Sequence, residues 1–275
     1  MIEKYYNGVI EQVAGGIGNV EHNSILVRYS NDFSIWDLES VNHYKDQTDI
    51  FFTCHEFSYN KIAEAYEPYL GLIRQMFHKY CSGTLEEFME ECDVYKLQRP
   101  VFESYFEKGF CERTEQILID EVEYEQERMR NSIVTMLQKL SEIRPVVIVL
   151  NRFQLASKST MQLSNSLLQV KNKNIGIVLG VNDVQSIPEF AHEEWDAICE
   201  SMDDRNMVYH IGNAGRNMEP DVMDYYSDYE SDDGYRKLNN LVYFLDFDQA
   251  NHHLSKIERR IKFDNFTISE KKHYQ

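Results

Sequence analysis

Two uninterrupted apolar runs, PVVIVL (145–150) and IGIVLGV (175–181), set the terms for any fold available to this chain. Neither approaches the roughly 20 apolar residues needed to cross a bilayer. Neither shows the in–out alternation of a strand with one wet face, so both read as strands covered by protein on two sides. Three further strand candidates, NSILVRYS (23–30), DIFFTCHE (49–56) and NMVYHIG (206–212), alternate with helical patterns. Strands buried on both faces and separated by helices predict an α/β fold with a mostly parallel, five-stranded sheet.

The intervening helices announce themselves by spacing. Residues 31–44 read as a helix capped by Asn31 or Asp32. Between 60 and 80, Ile62, Tyr66, Tyr69, Leu70, Ile73, Phe77 and Tyr80 follow helical periodicity, with Pro68 predicting a kink or a helix start. Thr84 followed by Glu87 is a capping-box pattern. A long stripe through Met129, Ile133, Met136, Leu137, Leu140 and Ile143 predicts a helix over 124–143 that feeds PVVIVL. Helices are also expected over 160–170 and 191–202.

Charge narrows the partners. Against 46 acidic residues stand 28 basic ones, a formal net charge of −18, and no basic run compensates locally. Such a surface repels phosphate backbones and anionic lipid heads, so neither nucleic acid nor a membrane is an expected partner. Five widely spaced cysteines without a C-x-x-C pair suit reduced thiols. With no apolar leader in MIEKYYNGVIEQ, the expected location is the cytoplasm.

The tract NMEPDVMDYYSDYESDDGY (217–235) holds seven carboxylates and no basic residue, which predicts a surface loop. It divides the chain into a main domain (1–215), an acidic loop (216–237) and a helical extension (238–275). The extension's stripe of Ala250, Leu254, Ile257 and Ile261 would suit a partner helix in further helical repeats. A calcium loop beginning at Asp228 fails on spacing: Gly234 comes one residue late and position twelve is Asn239. Cys54 with His55, and His78 with Cys81, lack a second pair at zinc-site spacing. No metal is expected.

The segment LQKLSEIRPVVIVLNRFQLASKSTMQLSNSLL (137–168) resembles the second acidic motif of the AAA-like, signal-transducing (STAND-type) P-loop ATPases. Their usual pattern is a long helix, then RPVVLVLDDLQWAD and a Ser/Thr-rich helix start. Gln154, Ala156, Ser159 and Thr160 fit that pattern, and FTCHEFSYNKIAEAYEPYLGLIRQMF (52–77) is similar to the family's segment after its second strand. The resemblance covers about the first 210 residues. It implies a three-layer, P-loop-NTPase-like domain, here with a C-terminal helical extension.

The same resemblance implies three places where chemistry would sit. At the phosphate loop, positions Ser30, Asn31, Asp32, Phe33 and Ser34 contain no glycine, and no lysine occurs before Lys45 in the loop and its helix. Without glycine and lysine, neither the backbone cradle nor the fixed cation for a triphosphate is present. AGGIGN (14–19) lies before the first strand and reads as a plain turn. At the acidic strand end, the aspartate that holds magnesium and its neighbouring acid are replaced by Asn151 and Arg152. At the end of the fourth strand, Asn182 stands where a phosphate sensor would.

These replacements predict a degenerate nucleotide site with no catalytic residue, no cofactor and no hydrolysis. The expected role is a regulatory or protein-interaction module of a bacterial cytoplasmic signalling protein, contacting a protein partner or other domains of a longer parent. The alternative is a divergent ATP-binding protein or weak ATPase, with ATP and magnesium as ligands and nucleotide occupancy controlling domain packing.

Overall fold

The computed structural model describes residues 2–18, 23–30, 34–45, 49–58, 61–111, 122–170, 172–183, 187, 189–203, 208–211 and 232–263. Its centre is a parallel sheet. Strands β1 (Ser24–Tyr29), β2 (Phe51–Glu56), β3 (Val146–Asn151) and β4 (Ile175–Asn182) form the body, and a four-residue strand β5 (Val208–Ile211) runs along β1. The order is β2-β3-β4-β1-β5, with every neighbouring pair parallel. β3 and β4 are buried at every position, as their unbroken apolar runs require. β1 and β3 both lie inside the sheet and flank β4.

Helices cover both faces. On one, α1 (Ile2–Gly16) and α2 (Glu39–Lys45) bury Tyr6, Ile10, Val13 and Val41 against Ile25, Val27, Val149 and Val178. On the other lie α3 (Tyr69–Tyr80), α4 (Leu85–Glu91), α5 (Arg99–Lys108), α6 (Val122–Ile143), α7 (Lys158–Gln169) and α8 (His192–Asp203). There Ile73, Met136, Leu137, Leu163 and Ile198 pack with Ile148, Leu150, Ile177 and Leu179.

The N-terminal helix was not anticipated. Ala14, Gly15 and Gly16 of the supposed turn are its last three residues. It lies close to the sheet because β4 presents glycine beneath it. A Cβ at Gly176 would stand 2.6 Å from Val13 Cγ1, and one at Gly180 would run into the Tyr6 hydroxyl. Gly176, Val178 and Gly180 share one face of β4 and form a trough for the helix.

Three expected elements shift. Residues 61–68 are not helical, and α3 begins directly after Pro68, since a proline ring tolerates only the first turn. Over 31–44 there is a short 3-10 turn (Ile35–Asp37) capped by Ser34 and then α2; the proposed caps Asn31 and Asp32 lie outside the described residues. The third shift concerns the acidic tract. Of the loop assigned to 216–237, residues 216–231 lie outside the described residues, and from Asp232 the chain is already helical as α9 (Asp232–Tyr243). Leu238 and Leu241 carry this helix onto the body.

α9 turns into α10 (Phe247–Phe263) through Leu245, at φ 64°. The N–H of Asp246 donates to Leu241 O (2.8 Å) and that of Leu245 to Val242 O (3.1 Å), the paired bonds of a Schellman ending. Phe244, fully buried, packs its ring within about 6 Å of Tyr66, Phe102 and Tyr105. Of the stripe expected on the extension, Ala250 is buried and Leu254 is exposed; the side chains of residues 257 and 261 are outside the described set. No described helix is long and apolar enough to cross a membrane.

Candidate functional site

A parallel sheet delivers all its strand ends to one edge, where ligands of open α/β folds bind. Here that edge gathers Tyr29 at the end of β1, Glu56 of β2, Asn151 of β3 and Asn182 of β4, with Ser30, Arg152 and Asp183 directly after their strands. Ser34 approaches from the 3-10 turn. Asn31, Asp32 and Phe33 lie outside the described residues.

Asn151 is the centre of this edge and is fully buried. Its Oδ1 accepts from the Tyr29 hydroxyl at 2.7 Å, which fixes the amide orientation, and its Nδ2 donates to Glu56 Oε1 at 3.4 Å. Arg152, in the left-handed region at φ 52°, brings Nε to 3.4 Å from the same oxygen. Ser34 Oγ donates to Glu56 Oε2 at 3.5 Å. The Glu56 carboxylate is thus surrounded by an amide, a guanidinium and a hydroxyl. Its contacts are long, so each is weak on its own.

The flanks of the edge are also internally bonded. Asn182 is buried, and its backbone N–H donates to the Oε1 of Gln154 at 3.3 Å. The N–H of Asp183 donates to Tyr29 O (2.8 Å), while its carboxylate pairs with Arg28 Nε at 2.8 Å. Beneath Asn151 lies Tyr6, fully buried and edge-on to Tyr29, with ring centroids 6.5 Å apart. Burial, reinforced by Tyr29, Cys54 and Glu56, pushes its phenol well above the ordinary range, so it stays neutral.

The space around Asn151 is therefore occupied by Tyr6 and Tyr29. Trp36 is 45% exposed and lies under Lys45 Nζ, 4.5 Å from its ring centroid. Tyr6, Tyr29 and Glu56 are the residues that sequence reasoning passed over. The two glycines of β4, four apart on one face, were the available signal that another element approaches there.

Chemically, among the described residues, the edge holds one half-buried acid, Glu56, and a neutral amide at the end of β3. An amide cannot take a proton from an attacking water. The Cys54 thiol is pushed far up by burial and stays protonated. His55 points to the other face of β2, where burial, then Lys61 and Lys237, lower it to about 4, although Glu67 Oε1 is 3.5 Å from its Nε2. Desolvation outweighs that single acid. Among the described residues, no three His, Cys, Asp or Glu side chains come together to hold a metal ion. No family model matches this chain, and no curated protein matches it significantly.

Proposed function

We infer that this chain is a noncatalytic, ATPase-like regulatory or protein-interaction module of a bacterial cytoplasmic signalling protein. The observation that carries this reading is the state of Asn151: buried, neutral, and hydrogen-bonded to Tyr29 and Glu56 at the strand end where a magnesium-binding carboxylate would be needed. The parallel sheet, with β1 and β3 both internal and ending at the same edge, supports an ATPase-like scaffold. Arg152 adds to the case, because its guanidinium faces Glu56 beside the place a divalent cation would occupy. Signals would pass by docking of surfaces, not by turnover of nucleotide.

Glu56 favours a second reading, since it keeps a carboxylate at this edge. In that case ATP and magnesium would bind and bias domain packing, with slow hydrolysis at most. Titration with Mg-ATP, followed by calorimetry and thermal unfolding, separates the two. Ligand at a hundred times its Kd adds about 2.7 kcal/mol to stability, which is roughly 5–10 °C for a domain of this size. No shift at millimolar nucleotide and no phosphate release are expected; a rise of several degrees would overturn the noncatalytic, nucleotide-free reading.

A further inference from the structure

β2 is the outermost strand, paired only with β3 among the described residues. Phe51 N–H donates to Pro145 O (2.7 Å) and Phe57 N–H to Asn151 O (3.0 Å). In a parallel ladder with this register, alternate residues Phe51, Thr53 and His55 turn both peptide groups toward β3. The peptide groups of Phe52, Cys54 and Glu56 consequently face outward. Two cavities run along that outer side. One, of about 240 Å³, is bordered by Thr53, Cys54 and His55 with Glu67 and Gln75; the other, of about 520 Å³, by Phe51 and Phe52 with Lys45, Gln75 and Lys79. Gln75 borders both, so the two lie end to end beside the six residues of β2, a span of roughly 20 Å.

The groove is recessed and polarised. All six β2 residues are only half-exposed, while Gln75, His78 and Lys79 of α3 stand exposed on one wall and Lys45 of α2 on the other. At the Phe51 end, Lys79 Nζ lies 5.8 Å from the Phe51 ring centroid, and Lys45, its Nζ over the Trp36 ring, borders the opposite wall. Arg74 also borders this end, its guanidinium donating to Phe106 O and Glu107 O. At the His55 end, the charges are Glu64 and Glu67, held by Asn240 and His55. In a chain of net charge −18, a basic groove end stands out beside backbone donors and acceptors that no described strand pairs.

We propose that this groove binds an extended, acidic segment of a partner protein, which adds to the sheet as a sixth strand beside β2. Backbone bonds to Phe52, Cys54 and Glu56 supply the affinity, and acidic side chains at the Phe51 end meet Lys45 and Lys79. The raised walls admit a single strand and hinder the edge of a second copy. The inference deepens the interaction-module reading above, but its test contains no nucleotide, so binding of Mg-ATP at the other edge would leave it standing.

The probe is a fluorescent peptide, acetyl-Asp-Glu-Val-Thr-Val-Thr-amide, followed by anisotropy. Saturable, salt-sensitive binding with Kd on the order of 10–500 μM is expected. Lys45→Glu with Lys79→Glu, both exposed, should fold normally and weaken it about tenfold or more. Amide exchange at Phe52, Cys54 and Glu56 should slow about tenfold with peptide. Absence of saturable binding, equal binding by the double variant, or protection elsewhere would overturn the proposal. So would a concentration-dependent dimer that protects these amides without peptide, which would assign the edge to a second copy.

Discussion

Asn151 performs a task that an aspartate at the same place could not. It accepts from Tyr29 and donates toward Glu56 at once, whereas a carboxylate only accepts. Asn151→Asp would set two carboxylates against each other in a buried place, and the new group's folded pKa would rise above its unfolded value. The variant should lose about 1–3 kcal/mol in urea unfolding at neutral pH. That loss should shrink as pH falls toward the ordinary carboxylate range, because the native state then takes up the proton. His55 behaves in the opposite sense. Its folded pKa, about 4, lies below the ordinary histidine value, so its contribution is complete above about pH 6.5 and is lost as pH falls toward 4. The loss amounts to about 3 kcal/mol at most, and His55→Gln should flatten this part of the stability–pH curve.

At the scale of elements, α1 and β4 depend on each other through the missing side chains of Gly176 and Gly180. Gly180→Ala places a methyl against the Tyr6 hydroxyl and 2.6 Å from Asn151 Oδ1, and should cost about 1–3 kcal/mol. Tyr6→Phe in the same chain removes one of the obstructing atoms and should recover part of that loss. A gain is expected at the end of α4, where Asp93 sits at φ 54° with its side chain exposed and Val94 N–H closes onto Met89 O. Asp93→Gly should raise stability by about 0.5–1 kcal/mol in denaturant unfolding. Legibility followed the same physics. The central strands were readable because burial on both faces erases alternation, and the box at Thr84 and Glu87 because local spacing suffices to form it. α1 was hidden by Gly8, Gly15 and Gly16, which lower helix propensity, while its stability comes from packing against residues far away in the chain. For the same reason Tyr6 could not be placed at the edge: only the fold joins it to Gly180 and Asn151. Glu56 was readable as a strand end but not as a partner of Arg152, a pairing set by the register of β2 on β3.

For the whole molecule, the C-terminal helices share the main core through Leu238, Leu241 and Phe244. Asp246 links them further: its carboxylate accepts from Ser159 N–H at the start of α7 and from Gln249 N–H in α10. Leu241→Ala should therefore cost about 2–5 kcal/mol and shift one transition, with strand amides and helix signals melting together. Two separated transitions would show that α9 and α10 unfold independently. The order of strands has a different consequence during synthesis. β1 is made well before its partners: Ser24 stands in register with Ile177, and β5 follows later still. At 5–20 residues per second, about 8–30 s pass before β4 is made. Throughout that interval SILVRY is a nascent apolar segment without its ladder, open to a chaperone or to a neighbouring polysome chain.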